Sequence, residues 1–402
     1  MILMKRIYLD SAAATPVDRR VLVAMRPFFS RQFGNPSSLH EEGVAAAAAL
    51  AAARAKAAEF LGAHPDEIVF TSGGTESNAL AWSVVKHSVF NKTDGVEEII
   101  TTPVEHASVR ETARAREAAG AKVTYLPVDG RGLIDLSALA KSLTAATRLV
   151  SVVHGNNETG VIQPIIEIAK ILRHHRKTGI SNLQPKTYNL KPTPYFHLDA
   201  SQTARLLPLK VARLGVDLLT LDAGKFYGPK GVGLLYVRRG VKLNPLWRGG
   251  GQEAGRRAGT ENVPAIVGLA RALEIVAAER AREAPRLAAL RAFFVRELER
   301  LGGFVLGAEG ESQLPHITNV LLLTLAGEQM VLELDGRGIA CATGSACSSG
   351  DGAPSRVIMA LGQSAEAAGR AVRFSFGRET TRRELAFVLK SIREIIKKYQ
   401  NL

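Results

Sequence analysis

One lysine stands where the chain is suited to form a Schiff base with a carbonyl compound. Lys225 lies in L-D-A-G-K-F-Y-G-P-K-G (221–231), directly after the apolar run V-D-L-L-T (216–220), which is typical of a buried parallel strand. The glycines and the proline then end the strand and let the backbone approach a ligand closely. A partly desolvated lysine loses its proton readily and becomes a nucleophile. On this motif alone, a solvated loop lysine remains the alternative interpretation.

A glycine turn elsewhere in the chain is a candidate phosphate site. The sequence predicts a strand at 67–72, then the turn G-G-T-E-S-N, which contains Gly74 and Thr75, and then a helix with an apolar pattern at 79–85. A turn between a strand and a helix presents free N–H groups and the positive end of the helix dipole to an anion. A turn without any ligand remains the alternative.

Polar side chains follow several predicted strands. Strands are predicted at 98–102, 122–126 and 149–154, with helices at about 108–119 and 165–177 between them. This alternation implies a parallel sheet covered by helices on both faces, in which ligands bind at the carboxyl ends of the strands. The polar clusters at those ends are E-H (105–106), H-G-N-N-E-T-G (154–160) and H-L-D-A-S-Q (197–202). Each cluster alone also fits a structural role, so their common location carries the prediction.

The remaining segments predict a second, smaller α+β domain. A helix is expected at 44–61, a surface insertion at 181–194, and a strand followed by a glycine-rich loop at 248–262. Beyond the loop, the patterns predict helices at 265–282 and 286–301, strands at 317–323 and 371–375, and a closing helix from Arg382. We expect residues 15–255 to form a large cofactor-binding domain, and residues 1–14 with 256–402 to form the small domain.

Composition narrows the class of protein. The chain has 402 residues, of which 46% are hydrophobic and 22% are charged, as in ordinary globular proteins. The net charge is +14, but Lys and Arg form no run of five or more, so we expect a basic surface and no direct nucleic-acid binding. Two cysteines exclude a disulfide framework. With neither a signal peptide nor a membrane span recognisable, we expect a cytoplasmic protein without a metal site.

The separate motifs together resemble one family. Lys225, a carboxylate at a preceding strand end (Asp199) and a phosphate-type turn are the parts that a pyridoxal phosphate enzyme needs, because the carboxylate keeps the pyridine nitrogen protonated. Nearly end to end, the chain resembles the cysteine desulfurases, which are pyridoxal phosphate enzymes of the class V aminotransferase fold. The motifs of this resemblance are Y-L-D-S-A-A-A-T-P, F-G-N-P-S-S, T-S-G-G-T-E-S-N, E-H, H-G-N-N-E-T-G, H-L-D-A-S-Q, K-F-Y-G-P-K-G, R-R-A-G-T-E-N, G-S-A-C-S-S and R-F-S-F-G-R.

The resemblance implies a role for each matching residue. Lys225 would hold pyridoxal 5′-phosphate, Asp199 would pair with its ring nitrogen, and His106 would stack on the ring and help to move protons. Hydrogen bonds to the ring oxygen or the substrate would come from Gln202 and Asn157. The phosphate would be bound by Gly74 and Thr75 and by Thr260 of the partner subunit, since the family's site lies at a homodimer interface. Arg373 would grip the substrate carboxylate with its bidentate fork.

Two cysteines receive different predictions. Cys347 matches the catalytic cysteine, and its Gly and Ser neighbours offer almost no apolar anchoring, so we expect it to be mobile and exposed. Cys341, in G-I-A-C-A, is expected in the core. The implied reaction converts L-cysteine to L-alanine and leaves a persulfide on Cys347. The sulfur would then pass to an acceptor protein, either an iron–sulfur scaffold or a tRNA thiolation enzyme.

One stretch departs from the family pattern. The expected S-x-H-K is replaced by Asp222, Ala223, Gly224 and Lys225, and an ionised Asp222 beside a phosphate would repel it. Either Asp222 points toward Arg256 or Arg257, or the affinity for the cofactor is reduced; we expect binding to survive. The alternative functions are a selenocysteine lyase or another class V enzyme, or a non-catalytic sulfur-relay protein whose cofactor site has decayed.

Overall fold

The computed structural model describes residues 6–85, 97–180, 194–307, 312–344 and 353–400. The strands are β1 Ile7–Tyr8, β2 Ile68–Thr71, β3 Glu98–Thr101, β4 Lys122–Tyr125, β5 Thr147–Val153, β6 Tyr195–Asp199, β7 Leu218–Asp222, β8 Gly233–Val237, β9 Phe304–Leu306, β10 Ile317–Leu322, β11 Ile339–Ala340 and β12 Ala371–Ser375. The helices are α1 Arg19–Met25, α2 Glu41–Leu61, α3 Gly74–Trp82, α4 Ala107–Ala118, α5 Leu136–Ser142, α6 Ile165–Ile180, α7 Val211–Leu214, α8 Val263–Leu301, α9 Gly327–Asp335, α10 Arg356–Ala360, α11 Ala365–Gly369 and α12 Arg382–Gln400.

A seven-stranded sheet in the order β2-β8-β7-β6-β5-β3-β4 forms the centre of the molecule. Five strands of this sheet are parallel to one another, namely β7, β6, β5, β3 and β4, whereas β8 is antiparallel to both β7 and β2. The predicted α/β fold with a mostly parallel sheet is therefore confirmed. Because β2 and β7 both run opposite to β8, their carboxyl ends lie at the same edge, where Thr71 and Asp222 flank Gly233.

A second, three-stranded antiparallel sheet has the order β12-β10-β9. Its core is built around Phe294 of α8, whose ring packs edge-on against Phe374 and Phe376 at 5.2 and 5.5 Å between ring centroids. The chain after β1 runs beside β12, where the Ser375 N–H donates to the Leu9 carbonyl oxygen at 2.7 Å. This contact brings the N-terminal residues beside the strand that carries Arg373.

Helix α8 joins the two cores. The sequence predicted two helices, at 265–282 and 286–301, but the structure has one 39-residue helix with Pro285 inside it, so the predicted break is wrong. A proline removes one backbone hydrogen bond from a helix. Apolar side chains continue on both sides of Pro285, with Leu269 and Leu273 in the first core and Leu287 and Phe294 in the second. Their burial stabilises the helix across the proline.

The predicted strand, glycine turn and helix of the candidate phosphate site are present as β2 and α3. Helix α3 begins in the glycine turn at Gly74, earlier than the apolar pattern from residue 79 suggested, because Glu76 folds back to accept the Ser72 N–H at 2.7 Å. Residues 181–193 of the expected insertion lie outside the described residues. Within the described ranges, no helix is both long and apolar enough to cross a membrane.

The close approach of β8 to the glycine turn yields a stability prediction. A Cβ atom at Gly233 would lie 2.6 to 2.8 Å from the backbone C, Cα and O atoms of Gly73, and backbone atoms cannot move aside cheaply. We expect Gly233→Ala to lower the free energy of unfolding by about 2 kcal/mol or more, measured by urea denaturation. Gly369→Ala is the control, since no atom lies within 4 Å of its Cβ position. Equal unfolding midpoints for the two variants would contradict the prediction.

Candidate active site

Lys225 lies in the 3-10 turn Ala223–Lys225 that follows β7, and the N-terminal segment holds it there. Its Nζ donates to the Ala13 carbonyl oxygen at 2.7 Å. Thr15 donates to the Gly224 carbonyl oxygen through both its N–H and its hydroxyl, each at 2.9 Å. The Thr15 hydroxyl also accepts the Tyr227 N–H at 2.7 Å. Residues 13–15 therefore fix both the lysine head group and the turn that presents it.

Tyr227, two residues after the lysine, has a left-handed backbone with φ of 66°. Non-glycine residues adopt this conformation at a cost, so the surroundings must stabilise it. The hydroxyl of Tyr227 accepts the Arg378 N–H at 2.8 Å and an Arg205 Nη1–H at 3.0 Å. The Arg378 guanidinium also faces the ring at 4.1 Å from its centroid. These contacts offset the strain and lock the backbone that follows Lys225.

Asp199 ends β6 as a buried carboxylate held by neutral donors. Its Oδ2 accepts from Asn78 Nδ2 at 2.8 Å, and its Oδ1 accepts from the N–H and the hydroxyl of Ser201 at 3.1 and 2.7 Å. Among the residues that the structure describes, no lysine or arginine forms an ion pair with it. A buried carboxylate normally requires a cationic partner. Asp199 is therefore suited to a protonated ring nitrogen of a ligand.

His106 precedes α4 as its N-cap and connects to Asp199 through two side chains. Its Nδ1 accepts the Ser108 N–H at 3.2 Å and lies 2.8 Å from the Ser108 hydroxyl. That hydroxyl itself accepts from Asn78 Nδ2 at 2.8 Å, so its own hydrogen is directed to His106 Nδ1. The network assigns the hydrogen of the neutral imidazole to Nε2. Asn78 and Ser108, which sequence reasoning did not single out, orient both residues.

Glu105, beside His106, is a fully buried carboxyl group. Its Oε1 accepts from the Thr102 hydroxyl at 2.6 Å and from the Val153 N–H at 2.9 Å, whereas Oε2 has no partner within the described ranges. Its pKa is raised to about 8, mainly by burial; the two hydrogen bonds oppose the shift and the negative charge of Asp199 adds to it. Glu105 is therefore protonated at neutral pH, which keeps a second negative charge away from Asp199.

Arg373 is buried on β12 and already holds two partners. Its Nη2 donates to Asp10 Oδ1 at 2.6 Å and its Nη1 donates to the Asn157 carbonyl oxygen at 2.9 Å. Its Nε has no partner in the part of the chain that the structure describes. The guanidinium is thus oriented in advance and retains donor capacity for an anion. Gln202 is held by the same N-terminal segment, since its Nε2 donates to the Ala12 carbonyl oxygen at 2.8 Å.

Asp222 points into the glycine turn. Its Oδ2 accepts the Gly74 N–H at 3.0 Å and its Oδ1 accepts the Gly224 N–H at 2.9 Å. The alternative that it points toward Arg256 or Arg257 is wrong. The structure pairs Arg256 Nη1 with the Asp66 carbonyl oxygen and Arg257 Nε with Glu76, both at 3.0 Å. Thr75, in the first turn of α3, and Thr260, in the loop before α8, are exposed.

Cys347 lies outside the described residues, within 345–352. On either side of that range, the Ser355 hydroxyl donates to Glu158 Oε2 at 2.5 Å, and a Cβ atom at Gly344 would lie 2.9 Å from the same oxygen. Burial raises the pKa of Glu158, while the charges of Arg373 and other cations oppose this shift. Glu158 thus connects the residues flanking the cysteine segment to the cluster around Arg373. In the sequence analysis, Glu158 appeared only as a member of the motif H-G-N-N-E-T-G (154–160) and received no role.

Cys341 has the environment that the sequence predicted for it. It packs against the second core, and burial raises the pKa of its thiol to about 12, with the negative charge of Asp10 adding to the shift. The thiol is therefore protonated and a poor nucleophile at neutral pH.

The residues fit the ring of pyridoxal phosphate better than its phosphate. The ring nitrogen would meet the buried Asp199, which has neutral donors on both oxygens, and the aldehyde would meet the amine of Lys225. At the phosphate end, however, Asp222 already accepts the first N–H of α3. Thr75 and Thr260 of the partner subunit remain the predicted donors to the phosphate.

Comparison with known proteins gives a consistent result. The Aminotransferase class-V family matches residues 7–388. The chain is 43% identical to a cysteine desulfurase IscS of Dictyoglomus turgidum, over 99% of this chain and 97% of that protein. A solved NifS-like protein is similar with a TM-score of 0.87 and 37% identity, covering 98% of this chain and 99% of its own. A structure described as SspA in complex with cysteine has a TM-score of 0.77 and 34% identity, with coverages of 92% and 98%.

Glu105 generates a prediction about pH. Its folded pKa of about 8 lies above its ordinary value of 4.5, so its contribution to stability is fully present below pH 4.5 and is lost as the pH rises through 8. Glu105→Gln mimics the protonated form and should remove this dependence. We expect the unfolding free energy of the parent, relative to the variant, to fall by up to about 1.4 kcal/mol per pH unit across this window. Parallel curves from urea denaturation between pH 5 and 8 would contradict the assignment.

Proposed function

The chain belongs to the aminotransferase class-V family, and from this premise we propose that it is a cysteine desulfurase that transfers the sulfur of L-cysteine to Cys347. The observation that carries the proposal is the buried Asp199 carboxylate, held only by neutral donors, on the strand next to the one that leads into Lys225. L-cysteine as the substrate is supported by the relative from Dictyoglomus turgidum, which is named a cysteine desulfurase, and by the similar SspA structure in complex with cysteine.

Pyridoxal 5′-phosphate is the proposed cofactor, and when bound it supplies a ring that stores the electrons released at the substrate Cα. The Lys225 amine would hold the aldehyde end of the cofactor, because the Ala13 carbonyl directs it from one side. Asp199 would keep the ring nitrogen protonated. His106 would face the ring, with its Nδ1 held by the N–H and the hydroxyl of Ser108.

The substrate would be oriented by its carboxylate on Arg373 and by Asn157 and Gln202. The Lys225 amine would also be the base that takes the α-proton from L-cysteine. The thiolate of Cys347 would then attack the substrate sulfur. In that step a new S–S bond forms and the substrate C–S bond breaks, and protonation of the former Cβ carbon together with return of a proton to Cα gives alanine. Gly344 and Ser355, on either side of the cysteine segment, meet the Glu158 carboxylate near Arg373, which supports this placement of Cys347.

The decisive assay supplies L-cysteine and pyridoxal phosphate and quantifies alanine and protein persulfide. We expect Cys347→Ser to lower both products by about 100-fold or more, because a serine hydroxyl is a far poorer nucleophile toward sulfur. Cys341→Ala is the matched control and should keep more than half of the activity, since the Cys341 thiol is buried and protonated. Equal alanine yields from the parent and Cys347→Ser would rule out the mechanism.

The same assay, run over a range of cysteine concentrations, tests Arg373. Arg373→Lys should raise KM about tenfold or more, because lysine cannot reproduce the bidentate fork. Arg370→Lys is the control, because Arg370 directly precedes the strand that carries Arg373 and its side chain binds Glu366 and the Leu323 carbonyl oxygen. An unchanged KM for Arg373→Lys would exclude the proposed carboxylate contact.

A homodimer is the proposed assembly, with Thr260 reaching the phosphate of the partner's site. Thr260 is exposed, and an apolar surface around α1 and α2 supports a second copy as its partner. The exposed apolar side chains of this surface are Leu22, Val23, Phe29, Phe33, Leu39 and Val44. Analytical ultracentrifugation should give the mass of two chains, and the pair Val23→Asp with Phe33→Asp should give one. A parent that sediments as a single chain would refute the assembly.

The persulfide sulfur would pass to an acceptor protein of iron–sulfur assembly or tRNA thiolation. The curated relative's name, IscS, supports this destination. Sulfur label that remains on Cys347 in the presence of such acceptors would count against it.

A further inference from the structure

Asp222 bridges two elements of the cofactor site. One carboxylate oxygen accepts the Gly74 N–H at the start of α3, and the other accepts the Gly224 N–H in the turn that carries Lys225. The carboxylate therefore stabilises the helix end, where the dipole favours negative charge, and also caps the lysine turn.

The position of this carboxylate coincides with the position of an anion at the helix N-terminus. The first N–H of α3 is already a donor to Asp222 Oδ2, and that oxygen also lies 3.5 Å from the Cβ position of Gly73. A phosphate held by the same turn would need the N–H groups at the start of α3, including that of Gly74. Thr75, in the same first turn, offers the remaining donors. A phosphate and the Asp222 carboxylate thus compete for one place.

Gly224 leaves space for the Asp222 carboxylate. A Cβ atom at position 224 would lie 3.1 Å from Asp222 Oδ1, closer than an ordinary van der Waals contact. A side chain there would press on the carboxylate, which would have to shift by a few tenths of an ångström. Gly224 and Asp222, the two residues that depart from the S-x-H-K pattern, therefore act as a unit, in which the glycine makes room for the acid.

We propose that Asp222 is a built-in anion that determines how tightly the site holds a phosphate-bearing cofactor. Without a ligand, the carboxylate fills the phosphate position and stabilises the cofactor-free form. Phosphate binding requires Asp222 to release the Gly74 N–H and turn away from the incoming negative charge. The inference depends on the proposed function, because it concerns the cofactor of that same site. Its consequence is a holoenzyme whose cofactor exchanges more readily than a site without the acid would allow.

The test compares two aldehydes that differ only in the phosphate. Binding of pyridoxal 5′-phosphate and of pyridoxal to Lys225 is measured by absorbance titration for the parent and for Asp222→Asn, which keeps the shape and one acceptor but removes the charge. We expect the variant to bind pyridoxal phosphate at least tenfold more tightly and pyridoxal with an affinity within twofold of the parent. Asp66→Asn is the control for net charge, since Asp66 pairs with the exposed Arg239 away from the site.

Thermal unfolding gives a second readout that does not depend on activity. Because Asp222 caps α3, Asp222→Asn should lower the melting temperature of the cofactor-free protein, while saturating pyridoxal phosphate should raise it more in the variant than in the parent. The double variant Asp222→Ser with Gly224→His replaces the carboxylate with the donors of the family pattern, and should gain affinity for pyridoxal phosphate as well.

The possible outcomes are distinct. An unchanged or weaker affinity of Asp222→Asn for pyridoxal phosphate, or an equal gain for both aldehydes, would overturn the role of Asp222 while leaving the proposed function intact. Failure of the parent and of every Asp222 variant to bind either aldehyde would overturn the proposed function, and this inference with it. Binding of pyridoxal phosphate by the variant alone would support the inference in its strongest form.

Discussion

The site depends on a short backbone segment, residues 10–15, that runs between the two sheets. Its carbonyl oxygens accept from Gln202 and Lys225, its Asp10 carboxylate binds Arg373, and Thr15 holds the turn at Gly224. The segment is itself anchored on β12, where the Ala12 N–H donates to the Ser375 hydroxyl at 2.9 Å. Because each backbone group must find a partner when buried, this segment has few other ways to lie. Its hydrogen bonds therefore set the lysine turn and the arginine relative to each other.

The charges of the site are arranged so that few of them oppose one another. Asp199 lies among neutral donors, while its neighbour Glu105 is neutral at pH 7, since burial raises its pKa to about 8. Arg373 is paired with Asp10. Two acids close together in a low-dielectric interior cannot both ionise without cost, so the protonation of Glu105 avoids a second negative charge beside Asp199. By the same argument Asp222 is unusual, because its negative charge lies where a bound phosphate would add a second negative charge.

Asp222 and Gly224 also show how a departure from a family pattern can be accommodated locally. The acid takes two N–H groups, the glycine leaves space for it, and the lysine turn keeps its geometry through Thr15 and Tyr227. Lys225, Asp199 and His106 form side-chain hydrogen bonds that involve neither Asp222 nor Gly224. The effect is thus confined to the phosphate end of the site, and nothing in this arrangement indicates a decayed ring site.

The sequence by itself determined the α/β fold with a mostly parallel central sheet and the identity of Lys225, Asp199 and His106 as candidate residues, because apolar periodicity, glycine turns and strand-end motifs are local patterns. It could not determine where the Asp222 carboxylate points, that Glu105 is protonated, that Asn78 and Ser108 connect Asp199 to His106, or that α8 continues through Pro285. Each of these depends on neighbours that are distant along the chain: Gly74 for Asp222, Val153 and Asp199 for Glu105, and two separate cores for α8. Only the folded chain brings those partners together, and burial among them decides direction, charge and helix length.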